Sequence, residues 1–213
     1  PDTVRNHTKA GFEVDWLETL EHTGDLAKTL SEITKYGDNG VDVLVGCESG
    51  VNLCDEVCAA MGVRGNAVAE ARVMKARRNK FHQIELVRGA GLDAPRQVLA
   101  EATSDVETFL GTFTDSGVLP FKAVVKPVEG AGSDGVSICN APDEVRAAYR
   151  AFEGTKNVLG LDNYAVLLQE FLAGTEYVID TVSRDGVHKV VAIWRYDKRD
   201  YHGSPVVYHG MRL

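Results

Sequence analysis

The sequence predicts an α/β chain that ends in an antiparallel, α+β portion. Helical periodicity alternates with short apolar strands from Asp25 through Phe152. From Asn163 onward, β-branched and aromatic runs are separated by tight turns rather than helices. Alternation of the first kind marks a layer of strands covered by helices, and the second kind marks hairpin-connected strands.

Taken in order, residues 1–22 carry no informative pattern, and the chain begins on Pro1, which reads as a trimmed N-terminus. From Asp25, Leu26, Leu30, Ile33 and Tyr36 recur at helical spacing until Gly37 ends the run. Val41 to Gly46 reads as a buried strand, and ligands of parallel layers gather at the carboxyl ends of strands. That end carries Gly46-Cys47-Glu48-Ser49-Gly50. Glu48 there either faces a substrate or is a solvated carboxylate favoured by a helix dipole. Ser49 is expected to cap a helix striped by Cys54, Val57, Cys58 and Met61.

The basic stretch Arg72, Lys75, Arg77, Arg78 and Lys80 reads as a solvated face leading into a helix with Phe81, Ile84 and Val87 inward. Pro95 to Ala100 is a plausible strand. Ser104-Asp105-Val106-Glu107 has the form of a capping box, opening a helix with Val106, Phe109, Leu110 and Phe113 on one side.

Phe121 to Asn140 is the most informative stretch. Ala123–Val125 and Val136–Cys139 are apolar runs flanking a loop with Gly130, Gly132, Ser133 and Gly135. Glycine lets a ligand approach the backbone, so successive N–H groups converge on phosphate oxygens, and Ser133 adds a hydroxyl. Lys126 at the strand end places an ammonium over the same anion. The lysine precedes the glycines and no helix follows the loop, so neither the P-loop nor the dinucleotide fingerprint applies. Pro142, Asp143 and Glu144 then open a helix striped by Val145, Ala148, Tyr149 and Phe152. Strands are expected at Ala165–Phe171, Glu176–Ser183, His188–Arg195 and Val206–His209, with Arg184-Asp185-Gly186 as a hairpin turn.

A net charge of -8 gives no general basic field, which argues against nucleic-acid binding. No unbroken apolar run suits a membrane span or a signal peptide, and the triplet Asn6-His7-Thr8 reads as ordinary polar sequence. Cys47, Cys54, Cys58 and Cys139 sit among predicted regular elements, implying reduced thiols in a cytoplasmic compartment. Cys54 and Cys58 share a helix face but lack the further ligands of a zinc site, so they read as packing residues and no metal ligand is assigned.

The segment from Leu167 to Glu176 carries a polar pair, breaks at Ala173-Gly174 and resumes at a carboxylate. Such a linker suits a purine nucleoside: its backbone pairs with the base edge, the Gln169 amide meets the exocyclic amine, and Glu176 accepts the ribose hydroxyls. Together with Lys80, Lys126 and the glycine hairpin, this resembles the ATP-grasp superfamily of carboxylate–amine ligases, and specifically its L-amino acid ligase branch.

The resemblance implies an ATP-grasp fold: the end of a Rossmann-like N-terminal layer (1–78), a linker helix and lid (79–172), and the start of an antiparallel C-terminal sheet (173–213). It makes Lys80 and Lys126 the phosphate-binding lysines and Gly130 to Gly135 the closing loop. Gln169, Glu170, Phe171 and Leu172 become the adenine segment and Glu176 the ribose acid, with Glu48 near the substrate amine. Arg195 and Lys198 become candidates for the γ-phosphate or an acylphosphate, or else belong to an ordinary charged hairpin. The implied reaction uses ATP and Mg2+ to phosphorylate a carboxylate, and an amine then displaces phosphate. Alternatives are a bicarbonate-activating subunit of the biotin-carboxylase or carbamoyl-phosphate type, or a non-catalytic nucleotide-binding module. On this reading the chain is about half of an enzyme, with magnesium ligands expected beyond Leu213 and a longer parent chain or a homo-oligomer covering its open faces.

Overall fold

A strand whose alternate residues face a core shows a period of two in burial, and Ala123–Pro127 does so: Ala123, Val125 and Pro127 are buried while Val124 and Lys126 are half-buried. The computed structural model describes residues 16–37, 41–66, 70–116, 120–130, 133, 135–152, 155–156, 163–201 and 204–213. Gly132 and the triplet at 6–8 lie outside these. The chain divides into two units, residues 1–46 with 53–67, and residues 47–52 with 68–213. No helix among the described residues is long and apolar enough to cross a membrane.

In the first unit, α1 (Leu26–Ile33) is capped by Asp25, whose carboxylate accepts from the Lys28 N–H at 3.0 Å. A 3-10 turn over Thr34–Tyr36 continues it, and Gly37 at φ 123° stops it. The strand expected over 41–46 is not formed, and Leu44 is 87% exposed. A strand exists only through ladder partners, and among the described residues none pairs with this segment. α2 (Val51–Met61) has Val57 and Cys58 buried, with the Cys54 and Cys58 thiols 3.9 Å from the Val43 carbonyl oxygen. Ser49 does not cap it. It belongs to the second unit, inside a 3-10 turn, Glu48–Gly50, with its hydroxyl 3.3 Å from the Cys47 sulfur.

The second unit begins its regular helices with α3 (Ala71–Ala76) and α4 (Lys80–Gly89). Here the solvated-face expectation fails at Arg78, which is 6% exposed and ion-paired with Glu48. Burying a guanidinium is costly without a counter-charge, which Glu48 supplies. Asn79 caps α4 by accepting from the His82 N–H at 3.1 Å. Strand β1 (Gln97–Ala100) leads to α5 (Thr103–Ser116). The capping register of α5 differs from expectation: Asp105 reaches back to the N–H groups of Glu101 and Ala102, both at 2.9 Å. That carboxylate satisfies donors before the first turn, so the helix starts ahead of Ser104.

β2 (Ala123–Pro127) and β3 (Ser137–Cys139) form the anticipated glycine hairpin, followed by α6 (Pro142–Phe152) and β4 (Val166–Glu170). The sheet order is β1-β4-β2-β3, antiparallel throughout. On one face α5 and α6 bury Phe109, Phe113, Val145, Tyr149 and Phe152 against Ala123, Val125, Val166 and Leu168. Fully burying side chains of this size contributes about 1.5–3 kcal/mol each. The other face carries Leu99, Leu167 and Phe81. Strand β4, covered on both faces, therefore reads as a continuous apolar run and holds one buried polar side chain, Gln169.

A second sheet follows, β5 (Tyr177–Arg184), β6 (Val187–Tyr201) and β7 (Ser204–Arg212), in that order. Asp185 and Gly186, at φ 51° and 77°, make the two-residue turn that matches strand twist. β6 runs past the expected end at Arg195 because β7 pairs with it as far as Tyr201.

Candidate functional site

Strand periodicity places Val124 and Lys126 on the face of the first sheet away from α5 and α6, and register puts Ile138 opposite Val124. These residues open onto a cavity of about 1450 Å3 whose far wall comes from the second sheet. Val124, Ile138 and Leu172 give it an apolar patch, while Lys80, Lys126 and Lys198 bring ammonium groups to it. An apolar patch beside clustered cations suits a ligand with a ring at one end and anionic oxygens at the other.

Lys80 is the first residue of α4. Its ammonium donates to the Gly130 carbonyl oxygen at 2.8 Å, and its N–H donates to the Val128 carbonyl oxygen at 3.0 Å, tying the glycine loop to the helix start. The Lys126 ammonium donates to Gln169 Oε1 at 2.8 Å. Burial lowers the pKa of both lysines below the ordinary value. The charge of Arg78 adds to the effect at Lys80, and the charge of Lys80 adds to it at Lys126. Cations held together against their mutual repulsion favour an anion between them.

In the loop, Ser133 and Gly135 both take positive φ, 62° and 64°. That backbone is uncommon for serine. Ser133 and Gly130 line the cavity, whereas Gly135 packs beneath it against Phe152.

The linker after β4 supplies Phe171, Leu172 and Glu176 to the cavity wall. Glu170 turns its carboxylate elsewhere: Arg96 donates to it through its N–H and its Nε, both at 2.8 Å. Gln169 lines the cavity too, and its amide spans Lys126 and, at 3.2 Å, Gln97 Oε1. Glu176 accepts from the Lys198 ammonium at 2.6 Å. Arg195 lines the same wall from β6.

Glu48 is not part of this lining. It pairs with Arg78, and both charges reach Lys80. The beginning of the Glu48–Gly50 turn also lowers the Cys47 thiol, chiefly through the Ser49 hydroxyl and the Gly50 backbone.

Several cavity residues escaped the sequence reading. Lys122 lies four residues before Lys126 and stacks its ammonium 4.0 Å from the Phe171 ring. Period-two alternation through β2 was the available signal for it. Tyr196 and Tyr208 flank Lys198 at 4.5 and 4.7 Å, but only the β6–β7 register brings them together. Among the described residues, no group of three or more His, Cys, Asp or Glu could hold a metal ion.

Comparison with known proteins adds the following. Residues 119–209 match the ATP-grasp domain family. Dapdiamide A synthase of Enterobacter agglomerans is 30% identical over 187 residues, which is 88% of this chain and 42% of that protein. The chain thus spans less than half the length of this curated relative. Among solved structures, L-amino acid ligase from Bacillus licheniformis superposes with a TM-score of 0.54 at 20% identity, over 84% of this chain and 36% of that one. The ADP complex of N5-carboxyaminoimidazole ribonucleotide synthetase gives 0.61 at 15% identity, over 90% and 45%. At such identities these structures establish a shared fold.

Proposed function

Starting from the ATP-grasp domain that this chain carries, we propose that the cavity binds ATP and serves an amide-forming ligase acting on an amino acid carboxylate and an amine. The convergence of Lys80, Lys126 and Lys198 on one cavity with an apolar patch carries this reading. The base lies against Val124, Ile138 and the Phe171–Leu172 backbone, the ribose hydroxyls meet Glu176, and the phosphates meet Lys80, Lys126 and the loop from Gly130 to Gly135. Arg195 and Lys198 face the transferred phosphoryl group. The names of the relatives, dapdiamide A synthase and L-amino acid ligase, support an amino acid substrate, with Glu48 beside its amine. Residues 79–172 then act as linker and lid, and 173–213 begin the C-terminal domain.

A carboxylate oxygen attacks the γ-phosphorus, the bond to the β-bridging oxygen breaks, and ADP leaves. The amine nitrogen attacks the resulting acylphosphate carbon, phosphate departs, and the amine proton passes to solvent. Such chemistry needs positioned charge rather than a nucleophilic side chain, which lysines and backbone N–H groups provide. Magnesium accompanies ATP in this class of reaction, but the described residues offer it no ligand set, and no step here runs through it.

The test is product release by the full-length protein given magnesium, ATP and amino acids singly and in pairs. ADP and phosphate appearing only with a particular pair supports the ligase and names its substrates. ATP hydrolysis driven by bicarbonate without any amino acid overturns it in favour of a bicarbonate-activating subunit, and ATP binding without turnover favours a binding module.

A further inference from the structure

Gln97 contributes nothing to the cavity wall, yet it ends a chain of side-chain hydrogen bonds that begins at Lys126. β4 lies between β1 and β2, and Gln97 and Gln169 are register partners, so their side chains stand together on one face. Gln97 Nε2 donates to the Phe81 carbonyl oxygen at 3.0 Å and to Glu85 Oε1 at 2.8 Å. Both of these groups only accept. The Gln97 amide is therefore oriented with its nitrogen toward α4 and its oxygen toward Gln169. That oxygen accepts from Gln169 Nε2 at 3.2 Å, which leaves Gln169 Oε1 for Lys126, a group that only donates. Each bond fixes the polarity of the next. Gln169 is 8% exposed, so an amide turned the other way would set its NH2 group against the half-buried Lys126 ammonium.

We infer that Gln97 is a positioning residue for the nucleotide phosphates: through Gln169 it holds the Lys126 ammonium in place, and through Phe81 and Glu85 it ties that lysine to the helix that begins with Lys80. The inference rests on the proposed ATP site. Lys80 and Lys126, two of the cationic groups of the site, then share one support, which starts two strands away from β2. The groups facing Lys126 are Lys80, Lys198 and Glu176, so the carbonyl oxygen of Gln169 helps offset a mostly cationic surrounding. Losing that oxygen disfavours the charged lysine.

The experiment is a double-mutant cycle on ATP affinity in the full-length protein, read by calorimetry across pH, with Gln97→Met, Gln169→Met and the pair. Each single change is expected to weaken ATP by about tenfold, and the pair no more than Gln169→Met alone, because the two act in series. The alkaline loss of affinity should move to lower pH in Gln97→Met, an effect that simple loosening of the fold would not produce. Gln97→Glu keeps an acceptor toward Gln169 but sets a carboxylate against Glu85 and the Phe81 carbonyl oxygen, so thermal stability should drop while the acceptor-dependent hold on Lys126 keeps ATP affinity above that of Gln97→Met. Additive effects, or unchanged affinity in Gln97→Met when Lys126→Ala binds ATP poorly, overturn the relay. Unchanged affinity in Lys126→Ala overturns the ATP site itself.

Discussion

The Lys198 ammonium lies 2.6 Å from a Glu176 carboxylate oxygen, between the Tyr196 and Tyr208 rings. The acid proposed for the ribose is thus already the counter-ion of a cation proposed for the phosphates, and nucleotide binding must share this carboxylate between them. Glu176→Gln keeps the size of the side chain but removes its charge. ATP affinity should fall by about tenfold, the loss of one charge-assisted hydrogen-bonding group. Discrimination between ATP and 2′-deoxy-ATP should shrink with it, as calorimetry with both nucleotides would reveal. A variant that still favours ATP to the full extent would place the ribose elsewhere.

The lowered pKa values of Lys80 and Lys126, caused first by burial, make ATP binding sensitive to pH. Phosphate favours the charged lysine, so affinity is full below the lysine pKa values of the free protein and declines as pH rises through them. Because those values lie below the ordinary 10.5, the decline should begin at lower pH than an unperturbed lysine would give, as a calorimetric titration would show. Folding stability has the opposite sign. The folded chain releases these protons more readily than the unfolded one, so this contribution to stability rises with pH between the folded and unfolded values. Lys126→Met should flatten both profiles; an unaltered affinity profile in that variant would assign the titration to other groups.

What the sequence made legible were the features written in local pattern. The hairpin of β2 and β3 follows from apolar runs flanking glycines, and the stripe Val145, Ala148, Tyr149 and Phe152 from helical spacing; Ala148 is partly buried and the other three are buried. The segment 41–46 misled because β-branched composition signals a strand without supplying its partner. Arg78 misled because its burial depends on Glu48, thirty residues earlier. The Gln97–Gln169–Lys126 chain was illegible for the same reason: it exists only once the register of β1, β4 and β2 is set, and no spacing along the sequence encodes that.

Thiol reactivity separates the cysteines. Cys47 is exposed, and hydrogen bonds from Ser49 and Gly50 lower its pKa. Cys139 is buried and pushed up to about 11. Since the thiolate is the nucleophile, iodoacetamide at neutral pH should label Cys47 first and leave Cys139 unmodified until the protein unfolds. Ser49→Ala should slow the labelling of Cys47, because the hydroxyl that stabilises its thiolate is gone. Equal rates with and without Ser49, measured by peptide mass analysis, would refute that cause.

The glycines of the loop are not equivalent, and stability measurements should separate them. Gly135 has φ 64°, and a Cβ there would stand 2.9 Å from Phe152 Cε1 and 3.1 Å from Pro127 Cγ. Phe152 belongs to the packed core, so it cannot give way without disturbing Tyr149 and Val145. Gly135→Ala should therefore lose about 1–3 kcal/mol, combining a left-handed backbone with overpacking. At Gly130 the nearest atoms to an added Cβ belong to Pro127 at 3.7 and 3.8 Å, ordinary contact distances. Its carbonyl oxygen, which accepts from Lys80, survives the substitution. Gly130→Ala should stay within about 0.5 kcal/mol of the parent in denaturant titrations. Equal losses at the two positions would mean that the contact with Phe152 does not set the shape of the loop.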